Sequence, residues 1–284
     1  MALDSHGVLA AVTIAMYVPF LLISIKIVSK YGMARGDGWI LLLVFCIIRV
    51  LGGALLVAAE EVTPVNTSLY IGGYALEASG LSPLLLCTLG LLHSIFQTPE
   101  GLPRYQRIFR LLQLLGTIAL ILVIVGISDE TSSSSSSNSS GNTMRRAGVI
   151  LFAVLYIILV GICIHLWTKA RFVLRYRKQL LVAISIALPF LAVRTIYSIL
   201  STFSSSSFSI TSTSSTRANT GDLAKFNIFT GEWQIYLVME MLMEYAIVII
   251  YSIAAIMLPL NEDYKSPDLS QDDSEYPLSD NPRY

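Results

Sequence analysis

Seven stretches of about twenty apolar residues dominate this sequence, and a helix of that length crosses the ~30 Å hydrocarbon layer of a bilayer. They run over residues 7–28, 38–59, 69–96, 108–127, 148–167, 179–200 and 234–258. In hydrocarbon every backbone N–H and C=O must find its partner within the segment, so stretches of this kind fold as helices. The expectation is an all-α, polytopic membrane protein: a seven-transmembrane-helix bundle over residues 1–260, followed by an acidic, disordered tail over 261–284. Composition agrees, since 13% of the 284 residues are charged, against about 25% in a soluble domain. The third stretch is the longest and holds Gly80, Ser82 and Pro83, and the sixth holds Pro189; both are expected to bend there.

Charge placement predicts orientation. Asp4 precedes the first stretch without any Lys or Arg, whereas Lys26, Lys30 and Arg35 end or follow it. Positive residues stay on the cytosolic side, which puts the N-terminus outside and the C-terminus in the cytosol. The loops after the first, third and fifth stretches then collect Arg104, Arg107, Lys169, Arg171, Arg175, Arg177 and Lys178 on the same side. The first stretch is expected to act as its own insertion signal, because no basic region precedes it. Asn66 and Asn138 stand in acceptor sequons on loops expected outside, which makes both glycosylation candidates in a plasma membrane or a secretory-pathway or vacuolar membrane.

Two connections are serine-rich, "TSSSSSSNSSGNT" and "STFSSSSFSITSTSSTRANTG". Their composition predicts solvated linkers, too poor in apolar residues to offset the entropy of ordering. The inner segment 168–178, "TKARFVLRYRK", mixes five cations with Phe172 and Tyr176. It sets topology, and it is the place where anionic headgroups or a cytosolic partner would dock.

Within the stretches themselves stand five charges: Arg49, Glu77, Arg194, Glu240 and Glu244. Each costs about 2.5–3.5 kcal/mol at the centre of a membrane helix unless it is paired, protonated or wetted. Gly52 and Gly53 near Arg49, and Gly73 and Gly80 either side of Glu77, suit close approach of partner helices. Trp233, Tyr236, Glu240, Glu244, Val248 and Tyr251 follow one helical stripe. By depth the two glutamates of the last stretch should pair with the two arginines, one ion pair in each of two layers, leaving Glu77 over to share a proton. Tyr74, Tyr197 and Tyr236 are expected to line the same site. A static network that fixes helix register is the alternative role.

Other classes lack their residues. The seventh stretch has no lysine for a retinal Schiff base, and neither an Asp/Glu-Arg-Tyr after the third nor an Asn-Pro-x-x-Tyr in the seventh is present, as rhodopsin-like receptors would require. His6, His93 and His165 are too few and too scattered for a membrane zinc hydrolase, and no Gly-x-Ser-x-Gly nucleophile motif occurs. Cys46, Cys87 and Cys163 fall inside apolar stretches and pack as small residues. No metal, cofactor or nucleic acid is called for, and no enzymatic activity is expected.

The runs "RVLGG", "LEASGLSPLLL", "LPFLAVRTIYS" and "MEYAIVIIY" resemble a family of fungal seven-helix integral membrane proteins carrying a domain of unknown function, over Val8 to Pro259. The resemblance implies a seven-helix fold and brings no activity or ligand. A weaker similarity, in topology, is to fungal lipid-translocating exporters of the aminocholesterol-resistance type. The expected function is non-enzymatic binding or transport of a small polar or amphiphilic molecule, a lipid included, through the Arg/Glu cluster and with proton coupling. A receptor-like signalling protein is the alternative.

Overall fold

The computed structural model describes residues 5–31, 37–62, 67–96, 103–130, 135–168, 175–204 and 233–258. Nine α-helices occur among these described residues, and no strand: α1 (Ser5–Tyr31), α2 (Asp37–Glu61), α3 (Thr67–Ser79), α4 (Leu81–Phe96), α5 (Pro103–Glu130), α6 (Ser135–Thr168), α7 (Arg175–Ser204), α8 (Trp233–Tyr236) and α9 (Met243–Met257). A π-helical segment, Leu237–Leu242, joins α8 to α9. They form seven helical units long and apolar enough to cross a membrane, with α3–α4 the third and α8–π–α9 the seventh.

The third unit is the hub. In it 83% of the most apolar window is buried, against 28% to 44% in the other six. α4 is enclosed by the others on nearly every side, with 13 of its 16 residues buried. The surrounding helices turn large aliphatic side chains outward, among them Leu22, Leu51, Leu111, Ile157 and Met257. A surface of that kind is matched to hydrocarbon rather than to water.

Small residues set the spacing between neighbours. A Cβ on Gly53 would lie 2.8 Å from the Ile14 side chain of α1, and one on Gly52 would lie 3.4 Å from Leu76 Cβ of α3. The glycine pair thus lets α2 approach two partners at once, as the spacing around Arg49 suggested. Between α5 and α6 backbone meets backbone: a Cβ on Gly126 would lie 2.7 Å from Arg145 N and 2.8 Å from Gly141 O.

That contact explains one departure from expectation. The serine-rich connection was expected to be a linker with the fifth span starting at Gly148, yet α6 begins at Ser135, so most of the segment is helical. Packing of Gly141 and Arg145 against Gly126 supplies what composition lacks. Asn138 therefore lies on a helix backbone rather than a linker, with its side chain outside the described residues, while Asn66 lies wholly outside them. Similarly, α7 runs from Arg175 to Ser204, taking in both ends of the sixth stretch. Residues 169–174, 205–232 and the acidic tail are outside the described residues.

The bend expected in the third stretch is a break. α3 stops at Ser79, Gly80 N donates to Glu77 O at 3.2 Å, and α4 starts at Leu81 with Pro83 in its first turn, where the missing N–H has no intrahelical partner to lose. α7 continues as helix through Pro189.

Candidate functional site

α2, α3, α7 and the last span bring the five charged side chains together in the middle of the bundle. Arg49, Glu77, Arg194, Glu240 and Glu244 are all buried, none more than 9% exposed. Arg194 acts as a fork: Nε donates to Glu244 Oε1 at 2.7 Å, Nη2 to Glu240 Oε1 at 2.8 Å, and Nη1 to Ser198 Oγ at 2.7 Å, one turn along α7. Arg49 reaches the same two carboxylates from the opposite side. Its Nη2 is in ion contact with Glu244 Oε2 and lies 3.5 Å from Glu240 Oε1, and its Nη1 is 3.7 Å from Glu77 Oε1.

The expectation of two separate pairs in two layers is therefore corrected. Both arginines touch both glutamates of the last span, in one network that also includes Glu77. The reason is reach. A guanidinium presents donors in several directions in one plane, so a single Arg side chain can bridge carboxylates at neighbouring depths.

Local backbone geometry assists. Ideal 3.6-residue turns offset residues four apart by about 40°. Glu240 sits in the π segment, whose wider turn reduces the angular step per residue and so keeps its carboxylate in line with that of Glu244. Gly80, at the α3–α4 break, leaves room for the Arg49 guanidinium: a Cβ there would lie 3.1 Å from Arg49 Nε. On another side the guanidinium carbon is 5.8 Å from the centre of the Phe45 ring, within range of a cation–π attraction.

Tyr17 of α1 was not anticipated. It is 1% exposed, packs edge-on against Phe45 at 5.7 Å and Tyr245 at 6.1 Å, and lies within electrostatic reach of Glu244 and Arg49. Its hydroxyl and Glu240 Oε2 have no hydrogen-bond partner among the described residues. An aromatic in an apolar span gives no sequence signal that separates such a residue from ordinary packing.

Of the expected lining tyrosines, Tyr197 is buried within electrostatic reach of Glu240, Arg194 and Glu77. Tyr236 is partly buried one turn before Glu240, and the side chain of Tyr74 lies outside the described residues. Along the stripe of the last span Glu240, Glu244, Val248 and Tyr251 are all buried, and Tyr251 Oη is 2.7 Å from Thr88 Oγ1 of α4.

Arg194, Tyr197 and Ser198 also face a cavity of about 20 Å³, which Ala78, Val123, Arg145, Val149, Ser201 and Thr202 complete. Away from the cluster, Arg177 of the basic segment turns inward, donating through Nη1 to Ile95 O at 3.3 Å, whereas Lys178 is exposed. Among the described residues no group of three His, Cys, Asp or Glu side chains is arranged to hold a metal ion.

Comparison with curated proteins and with solved structures gives no match. A family model does match, over residues 3–220, a range that includes Arg49, Glu77 and Arg194 and ends before the span with Glu240 and Glu244. The chain belongs to that family, the domain of unknown function DUF7702.

Proposed function

We propose that this chain is a multi-pass integral membrane protein that binds or moves a small polar or amphiphilic molecule, with the Arg49–Glu77–Arg194–Glu240–Glu244 cluster as its gate. The observation that supports this most is the interlocking of charges from α2, α3, α7 and the last span, each buried and each bond crossing between helices. Charges are rare at such positions, and their default role is functional. Helices joined by these bonds separate only if something replaces the lost partners. A proton on a carboxylate, or the ionic group of a ligand, does so.

Charge counting favours the proton. Two guanidinium groups face three carboxylates, so the cluster is one positive charge short of neutral when all five are ionised. Glu77, whose ion contact among the described residues is with Arg49 at 3.7 Å, is the loosest member and the natural place for the exchange. In the orientation that the basic loops favour, the cluster is reached from the outer side and the basic segment 168–178 faces the cytosol. The protein acts without a metal or cofactor.

A purely structural role is the second reading, and one observation favours it: the space beside the cluster is about 20 Å³, far below the ~300–1,000 Å³ of ordinary ligand pockets. Labelling of the purified protein with a hydrophobic carbodiimide, followed by peptide mass spectrometry across a pH series, separates the two. The reagent modifies protonated carboxyls in apolar surroundings. Labelling of Glu77, Glu240 or Glu244 near neutrality, declining as pH is raised, is the expected outcome. If all three stay unlabelled while an added control carboxylic acid reacts, the gate is a static lock.

A further inference from the structure

The cavity beside Arg194 is too small for a solute and large enough for water. A cavity needs roughly 10–15 Å³ of probe-occupied space to hold one water molecule and two to four polar partners to keep it there. This one offers about 20 Å³, with the side chains of Arg194, Tyr197, Ser198, Ser201, Thr202 and Arg145 around it. Such a concentration of polar groups stands within two helices that are otherwise fit for hydrocarbon.

One of those groups is unaccounted for. Ser201 is 3% exposed and its Oγ, like that of Ser252 in α9, has no hydrogen-bond partner among the described residues, whereas Ser185 returns its hydroxyl to the carbonyl one turn back. A buried hydroxyl left unpaired costs about 1–3 kcal/mol, so a partner is expected at this position. Ser201 is also three residues from the end of α7, or ~4.5 Å along the axis, and Ser198 and Arg194 follow it inward at successive turns. Position, polarity and size together run from the end of α7 to the charged cluster.

We propose that this cavity is a water site, in exchange with the medium at the end of the bundle where α7 finishes, and that it is the route by which solvent protons reach the cluster. The role as a route rests on the proton exchange proposed above; the water site does not. A hydronium ion at the mouth passes its proton to the cavity water, which releases one toward Tyr197 and the nearest carboxylate, Glu240 or Glu77, leaving neutral water behind. The charged and titratable groups around Glu240 and Glu77 are Arg49 from α2, Arg194 and Tyr197 from α7 and Glu244 from α9, with Tyr17 of α1 next to Glu244.

Radiolytic hydroxyl-radical footprinting tests the site directly, because inside a bundle radicals form where water is bound. Tyr197 and Tyr251 are equally buried, at 1% and 0% exposure, and Tyr251 has its hydroxyl bonded to Thr88 away from the cavity. Several-fold faster oxidation of Tyr197 than of Tyr251 is expected in the intact protein. Rapid mixing into H2 18O before exposure should put 18O into the Tyr197 adduct. The Ser201→Leu variant, whose side chain fills the space, should bring Tyr197 down to the Tyr251 rate.

Equal rates for the two tyrosines in the unaltered protein overturn the proposal whether or not the variant folds. Persistent 16O in the adduct overturns exchange with the medium, and an unchanged Tyr197 rate in a folded Ser201→Leu variant places the water elsewhere. A wet Tyr197 with glutamates that never label would remove the proton route and leave the water site standing.

Discussion

Arg194 holds three partners with three different nitrogens, and that geometry decides how its loss would be felt. Arg194→Met leaves Glu240 and Glu244 to share Arg49, and removing one partner from a buried ion pair costs about 3–5 kcal/mol. A large fall in melting temperature in detergent is the expected result, while Glu77→Gln, at its looser contact, should shift it far less. Arg194→Lys should resemble the Met variant, because an ammonium cannot reproduce the fork. Adding Glu240→Gln to Arg194→Met should recover part of the loss, since the two residues share one network. An Arg194→Met protein as stable as the parent would show that the bonds contribute nothing. The five charges were legible because in hydrocarbon an ionised side chain is conspicuous by its cost. Their joint bonding was not, since depth along a helix axis says nothing of how far a guanidinium reaches sideways.

At the scale of helices, α5 and α6 are held at a distance that only glycine permits. Gly126→Leu should force the pair apart and destabilise the fold by about 1–3 kcal/mol, the usual range for an overpacked contact. Gly161 supplies the control on α6, since a Cβ there meets nothing within 4 Å. Gly161→Leu should be neutral or stabilising, because glycine is about 1 kcal/mol poorer than good helix formers. Equal melting temperatures for the two variants would show that α5 and α6 can re-space freely. This contact is also why the start of α6 escaped a reading by composition: a run of serines scores as linker until a neighbouring glycine lets it pack. The π segment escaped for a similar reason, since the apolar residues around Glu240 fit an α-helix equally well. Breaks at glycine were more legible, as Gly80 shows, because loss of a side chain and a following proline weaken a helix locally.

For the whole molecule, spans of apolar residues were the most legible property, because length and hydropathy alone determine which helices can cross a bilayer and no tertiary contact is needed to see them. Which way the bundle faces depends instead on charge outside the hydrocarbon. Lys26 and Lys30 at the end of α1, Arg107 and Arg110 at the start of α5, and Lys178 at the start of α7 all belong to one end of the bundle, since successive spans alternate in direction. Arg145 and Arg146, about three turns into α6, lie toward the other. Retention of Lys and Arg in the cytosol predicts that the first end is cytosolic. The seventh span then finishes in the cytosol as well, so an epitope fused after Tyr284 should resist protease added to sealed cells and become sensitive once they are permeabilised. An epitope before Met1 should be cleaved in both conditions. The reverse pattern would invert the bundle, and with it the side from which water beside Ser201 meets the medium.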